Sequence, residues 1–190
     1  MFDRISTFLT DTLIEGGTLK SEERSLYIYC FGTMLETAAN LLSAIIIGAL
    51  LGEFPAALIF MLVFIPLRSM AGGFHCNSAG GCYLMSTAVF LTVILTYGRL
   101  SFSAVQCVLI CAAEAAAVVF LAPAASPNKP MSDTQKVRNR RISLALAAVF
   151  SAAVFVLLML DSLYAYAVLE SMSMAVVSMV IGRIKYRSAA

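Results

Sequence analysis

The sequence predicts an all-α integral membrane protein with six transmembrane helices, two of them short, preceded by an amphipathic helix at the membrane interface. Two observations lead to this prediction. Hydrophobic residues make up 61% of the 190 residues and charged residues only 13%, and the mean hydropathy is +0.90, both far outside the range of soluble domains. The apolar residues also fall into runs, several of them near the roughly 20 residues that cross a bilayer as a helix. We therefore expect one membrane-embedded domain over residues 1–190, in contact with lipid and without a nucleic-acid partner.

The first 24 residues are expected to form an interfacial amphipathic segment. Apolar side chains recur there at helical spacing, with charged and hydroxyl residues between them: Phe2, Ile5, Phe8, Leu9 and Leu13. This pattern is too polar to span a bilayer. It suits a helix that lies in the interface or, equally well, one that packs on the rest of the protein, and Gly16 and Gly17 are expected to end it. The first 20 residues contain no unbroken apolar segment, so we expect no cleavable signal peptide.

Six apolar runs follow the interfacial segment. They cover residues 26–51, 54–67, 83–97, 102–122, 142–160 and 163–181. The second and third runs are short for a span, so either both cross a locally thinned bilayer or the pair enters and leaves on one side. We expect both to cross, which gives six spans, with Asp161 and Ser162 forming the turn of the last helical hairpin.

The basic residues predict the orientation of the chain. With six spans, every one of the 13 Lys and Arg residues except Arg99 falls on one side of the membrane. Because cytoplasmic loops retain Lys and Arg, both termini, the loop at 68–82 and the basic loop at 123–141 are expected in the cytoplasm of a bacterial cell. A re-entrant pair would place Arg99 with the others, so charge alone leaves that alternative open.

The polar segment at 68–82 concentrates the reactive groups of the chain. It contains the sole histidine, His75, and two of the five cysteines, Cys76 and Cys82. A thiol attacks a carbonyl as thiolate, usually with a neighbouring imidazole as base. On one continuous helix His75 and Cys82 would stand about 10 Å apart, so the segment must turn, and residues 77–81 are turn-forming types.

Cys82 is favoured over Cys76 as the nucleophile. It precedes an apolar run and is expected in the first turn of a helix, where unpaired amides and the helix dipole favour negative charge. Cys76 is adjacent to His75, and neighbouring side chains generally point apart. Together these considerations predict His75 and Cys82 as a catalytic pair.

Several residues are candidates for supporting roles. Gly72 and Gly73 can bring backbone N–H groups close to a substrate. Arg68 can grip a carboxylate, or serve only as a positive anchor at a helix end. Glu36 and Asn40, polar residues inside a predicted span, are candidates for orienting the histidine; helix packing is their plainer use.

A non-enzymatic reading competes with the catalytic one. His75, Cys76 and Cys82 could bind an ion in a small transporter or a metal-binding membrane protein, with Cys107 and Cys111 as further thiols. Their spacing matches no recognised zinc pattern. We therefore expect neither a metal nor another cofactor.

Two stretches resemble the AgrB family, the membrane cysteine endopeptidases of bacterial peptide quorum sensing. One is Arg68-x-x-x-Gly-Gly-x-His75-x(6)-Cys82, and the other is Ala122-Pro-Ala-Ala-Ser-Pro-Asn-Lys-Pro130, which is similar to that family's Ala-Pro…Lys-Pro segment. Length, span count and charge asymmetry agree. The chain departs from the family pattern at Cys76, where many members have a small or polar residue, and at Gly80-Gly81, where basic or polar residues are common.

The resemblance implies an enzyme that cleaves the C-terminal tail from an AgrD-like precursor peptide. His75 and Cys82 carry over as the catalytic pair, and Arg68 and Gly73 as motif residues. An acyl-enzyme would allow a cysteine or serine of the retained peptide to close a thiolactone or lactone ring. The resemblance also implies a homodimer and an acidic precursor tail. That tail would be attracted by the basic run in the second loop, formed by Lys136, Arg138, Arg140 and Arg141.

Overall fold

The described residues form seven α-helices and no β-strand in a computed structural model, which describes residues 2–74, 76, 79–100, 102–124 and 131–187. The helices are α1 Phe2–Glu15, α2 Arg24–Leu50, α3 Phe54–Ala71, α4 Ala79–Thr96, α5 Ala104–Leu121, α6 Asp133–Met159 and α7 Tyr164–Arg187. α7 lies at the centre of the bundle and packs against α3, α5 and α6. Its inner face is continuous with the hydrophobic core through Leu169, Met172 and Met179, which are fully buried.

The amphipathic helix α1 is present as predicted and packs on α2 and the start of α4. Its buried side chains are Ser6 and Thr10, whereas Ile5 and Phe8 are exposed. Small hydroxyl residues allow α1 to approach α2 closely, and their hydroxyls are satisfied by carbonyls of their own helix. The apolar side of α1 is therefore divided, since Ile5 and Phe8 point away from the protein and Phe2 packs against Tyr83.

An ion pair holds the end of α1 to the start of α2. Arg24 donates from Nε and Nη2 to the two carboxylate oxygens of Asp11, at 2.7 and 2.8 Å. These hydrogen bonds hold the pKa of Asp11 below its usual range. A lowered pKa in the folded state means that the pair contributes at neutral pH and is lost as the pH falls below about 4, where Asp11 becomes protonated.

Docking of α1 is accordingly expected to weaken in acid and to be insensitive to pH near neutrality. Hydrogen exchange of the α1 amides in lipid nanodiscs should accelerate as the pH is lowered through this range, after correction for the intrinsic rate. The Asp11→Asn variant should exchange faster at neutral pH and lose the transition. An unchanged transition in Asp11→Asn would assign the effect to other groups.

The six remaining helices correspond to the six predicted apolar runs. Five of them, α2, α3, α5, α6 and α7, are long and apolar enough to cross a membrane, and α4 is a shorter apolar helix. The turn between α6 and α7 lies at Asp161, which has a positive φ of 52°. This arrangement identifies a multi-pass membrane protein.

Two boundaries differ from those predicted by hydropathy. α3 continues through Pro66 and Arg68 to Ala71 and ends where Gly72 adopts φ 77°, so Arg68 belongs to a helix and not to a loop. α4 begins at Ala79, so Gly80 and Gly81 are helical and not part of the predicted turn. Charge and glycine content suggested a loop, but backbone conformation decides where a helix ends.

The predicted basic loop at 123–141 is also partly wrong. α6 begins at Asp133, after a capping box in which Ser132 and Gln135 satisfy each other's backbone N–H groups. Lys136, Arg138, Arg140 and Arg141 therefore lie on the first turns of a helix. The Ser-x-x-Gln spacing is a helix-start signal that was readable in the sequence.

Candidate active site

Cys82 is the fourth residue of α4 and lies in its first turn, as the sequence predicts. The residue is buried, and Cys76 is half-buried. The Cys82 thiol is within hydrogen-bonding reach of the Cys76 backbone, so the start of α4 lies close to the segment that follows α3. His75, the predicted base, lies outside the described residues.

Cys76 and Cys82 line a partly open cavity of about 760 Å³ formed mainly by α2, α3 and α4. Arg68, Gly72 and Gly73 line the same cavity. A chamber of this size falls within the range of ligand-binding pockets. The helices therefore bring the predicted nucleophile, the predicted arginine and the predicted glycines to one cavity.

Glu36 and Asn40 of α2 also line this cavity. The Glu36 carboxylate lies within hydrogen-bonding reach of the Cys82 thiol, and the Asn40 side-chain amide donates to the Glu36 carbonyl oxygen at 3.1 Å. Arg68 is close enough to Cys82 to interact with it electrostatically. Cys82 therefore lies between an acidic and a basic side chain.

The segment after α3 is held in place by α7. The backbone N–H of Phe74 donates to the Ser178 carbonyl oxygen at 2.8 Å, and the Arg68 guanidinium donates to the Phe74 carbonyl oxygen. The Lys185 ammonium lies 4.4 Å from the centroid of the Phe74 ring. Arg68 thus stabilises the chain immediately before His75 while it faces the cavity.

Close packing at Gly182 completes this contact. A Cβ atom added to Gly182 would lie 2.6 Å from the carbonyl carbon of Gly73 and 2.7 Å from the Phe74 nitrogen. Real side chains do not approach backbone so closely. Sequence analysis missed Ser178 and Gly182, although a lone glycine inside an apolar helix is a known sign of close approach.

The two stretches that carry the family resemblance meet in space. Gly72 and Ala124 form a parallel bridge, and the Ala124 N–H donates to the Ala71 carbonyl oxygen at 2.8 Å. The end of α3 is therefore paired with the residues that follow α5. Residues 125–130 of the second stretch lie outside the described residues.

Replacement of Gly72 by alanine should be strongly destabilising, for two separable reasons. Its φ of 77° disfavours any side chain, and a Cβ atom there would lie 2.2 Å from the Ala124 carbonyl oxygen. Gly52 provides a matched control because it has φ 72° with no atom within 4 Å of its Cβ position. We expect Gly52→Ala to cost about 1–2 kcal/mol and Gly72→Ala more than about 3 kcal/mol, measured by unfolding in mixed detergent micelles. Equal losses of unfolding free energy in the two variants would mean that the backbone around Ala124 accommodates the added Cβ atom without destabilising the fold.

The predicted basic substrate-binding residues lie apart from the cavity. Lys136 forms an ion pair with Asp133 at 2.8 Å, and Arg140 donates to the Val119 carbonyl oxygen at 3.0 Å. Arg138 and Arg141 are exposed on the same helix. None of the four lines the cavity. These residues could therefore contact only those parts of a bound substrate that extend outside the cavity.

The remaining thiols and buried carboxylates lie elsewhere in the bundle. Cys107 and Cys111 are buried in α5 and do not line the cavity. Glu114 accepts a hydrogen bond from Ser173, and Glu170 accepts one from Thr96. Within the described ranges, no three His, Cys, Asp or Glu side chains form a group that could hold a metal ion.

A comparison with protein families decides the relationship that these features indicate. Residues 4–182 match the model of the family described as accessory gene regulator B. The chain belongs to the AgrB family. Membership associates it with the processing of AgrD-type precursor peptides in accessory gene regulator quorum sensing. No curated protein and no solved structure matches the chain.

Proposed function

We propose that this AgrB family member is a membrane cysteine endopeptidase that removes the C-terminal tail of an AgrD-like precursor and passes the retained part through an acyl-enzyme. The observation that carries the proposal is the position of Cys82. Its thiol lies in the first turn of α4, and Cys82 lines a cavity that Arg68 and Glu36 also line. A nucleophile, charged partners and a chamber for a bound peptide are thus found together.

In the proposed mechanism His75 accepts the proton of the Cys82 thiol, and the thiolate attacks the carbonyl carbon of the scissile peptide bond. The carbon–nitrogen bond breaks as the imidazolium returns the proton to the departing amine. The tail leaves with a free amino group, and the retained peptide remains as a thioester on Cys82. Glu36 positions the thiol, and Arg68 balances the carboxylate charge and holds the backbone before His75.

Ring closure is a second acyl transfer. A cysteine thiol or serine hydroxyl of the retained peptide attacks the thioester carbonyl, and Cys82 leaves as a thiolate that takes up the proton. Exchange of one thioester for another is nearly neutral in energy, so the outcome depends on keeping water away. A cavity lined by three helices shields the thioester from part of the surrounding water, which favours cyclisation over hydrolysis.

The membrane arrangement belongs to the same proposal. All six helices from α2 to α7 cross the bilayer; α4, with 18 residues, extends about 27 Å, close to the thickness of the hydrocarbon core. Both termini and the catalytic segment face the cytoplasm, where reducing conditions keep thiols free. The enzyme acts as a homodimer, and Lys136, Arg138 and Arg141 on the outside of α6 attract the acidic tail of the precursor.

Reconstitution tests the proposal. The purified protein in nanodiscs is incubated with a synthetic AgrD-like precursor peptide, and the products are analysed by mass spectrometry. We expect a tail fragment with a free amino terminus and a retained fragment lighter than the linear acid by one water. An intact precursor, together with a stoichiometric metal ion that is lost when Cys76 and Cys82 are both replaced, would instead favour an ion-binding membrane protein.

A further inference from the structure

The cavity extends well beyond Cys82 along α4. Cys82, Ser86 and Phe90 follow one another at four-residue spacing on the face of α4 that lines it, so the cavity continues for about 12 Å past the thiol. The helix α2 lines a longer stretch, about 33 Å from Ser25 at its start to Ile47 near its end. Only the near part of this space is needed to hold a peptide bond against the thiol.

The far part of the cavity is uncharged and largely apolar. It is lined by the second halves of α2 and α4 and the middle of α3, with the side chains Ala44, Ile47, Phe60, Met61, Phe64 and Phe90. Phe60 and Phe90 meet edge to face, with ring centroids 5.3 Å apart. Among the residues that the structure describes, the charged ones in the lining are Asp3, Glu36 and Arg68, none of which belongs to these segments. We call these six residues and the space they enclose the deep chamber.

The chemistry of cleavage determines which part of a peptide can occupy the deep chamber. The departing fragment gains an ammonium group, which is costly to place in an uncharged space inside a membrane. The acyl fragment ends in a neutral thioester and gains no charge. The apolar wall therefore suits a side chain on the acyl side of the scissile bond, and the charged mouth around Arg68 suits the departing side.

We infer that the deep chamber is a specificity pocket that binds a large apolar side chain of the residue immediately before the scissile bond. This inference rests on the proposed peptidase function and adds the class of substrate to it. Burial of such a side chain favours the reaction only when the pocket is open. Apolar pockets discriminate by about 10-fold to 200-fold between substrates whose side chains differ slightly in size. Ser86 stands one turn beyond Cys82 on the same helix face, so its size controls entry to the chamber.

The test compares precursors that carry alanine or phenylalanine before the scissile bond. Ser86→Phe narrows the entrance, and Phe90→Ala enlarges the far end. The matched control is Leu84→Phe on the same helix, because Leu84 is 68% exposed and does not line the cavity. For each variant in nanodiscs, kcat/KM is measured for both peptides.

Ser86→Phe is expected to lower the ratio of kcat/KM for the phenylalanine peptide to that for the alanine peptide at least about tenfold. Phe90→Ala should raise the corresponding ratio for a tryptophan peptide over the alanine peptide, and Leu84→Phe should leave the ratios at the wild-type value. Ratios unaffected by Ser86→Phe and Phe90→Ala, or changed equally by Leu84→Phe, would overturn the pocket assignment. If cleavage occurs with wild-type protein and requires Cys82, the proposed function survives that result; if it persists in Cys82→Ala, the proposed function itself fails.

Discussion

Cys82→Ala is expected to lower the rate of precursor cleavage at least about a thousandfold, the order of loss seen when a covalent nucleophile is removed. The thiol is placed at the first turn of α4 and faces the cavity with Glu36 and Arg68, and the acyl-enzyme cannot form without it. Initial rates with the purified protein and synthetic precursor give the measurement. Expression level and thermal stability in detergent should be close to those of the wild type.

Cys76→Ala is the matched control for the nucleophile. Cys76 lines the same cavity, so Cys76→Ala removes the other thiol of the cavity lining. We expect a loss of less than about tenfold, since the Cys82 thiol and the Cys76 backbone close to it are both retained. The reverse pattern, with Cys76→Ala inactive and Cys82→Ala active, would transfer the nucleophile to Cys76.

Gly182→Ala is expected to reduce cleavage about a hundredfold, although Gly182 lies in α7 and does not line the cavity. The added Cβ would stand 2.6 Å from the Gly73 backbone, so the segment that leads to His75 must move. A displacement of about 1 Å at a catalytic group can cost about a hundredfold in rate. The defect should appear in the rate of acyl-enzyme formation, measured in a single turnover, while the Cys82 thiol remains reactive toward an alkylating reagent.

Gly98→Ala is the control for this substitution. Gly98 lies in the turn after α4, and no atom is within 4 Å of its Cβ position. The same chemical change should leave the rate within about twofold of the wild type, because surface substitutions away from special contacts have small effects. Equal effects of the two variants would show that the contact between α7 and Gly73 is unimportant for the site.

The sequence predicted those parts of the fold that depend on local pattern. Apolar spacing located α1 and the six apolar helices, and the run that begins after Gly81 placed Cys82 in a first helical turn. Hydropathy failed at the C-terminal end of α3 and at the start of α6, where Arg68 and the residues from Lys136 to Arg141 are charged but helical. The positive φ at Gly72 ends α3, and capping by Ser132 begins α6.

Tertiary contacts of the site were beyond the reach of sequence patterns. Nothing in the spacing of residues indicated that Gly73 and Phe74 pack on Ser178 and Gly182, or that Ala124 pairs with Gly72. The choice of Glu36 and Asn40 as candidates rested only on the cost of burying polar groups. The structure brings both to the cavity because they lie one turn apart on the inner face of α2.

Interception of the acyl-enzyme tests whether Cys82 forms a thioester with the retained peptide. Wild-type protein mixed with precursor is quenched in acid within one turnover, and its intact mass and peptide map are determined. We expect the protein mass to increase by the mass of the retained peptide minus that of one water. The adduct should be located on Cys82 and should be released by neutral hydroxylamine. Cleavage that proceeds with no adduct at Cys82, or with the adduct on Cys76, would contradict it.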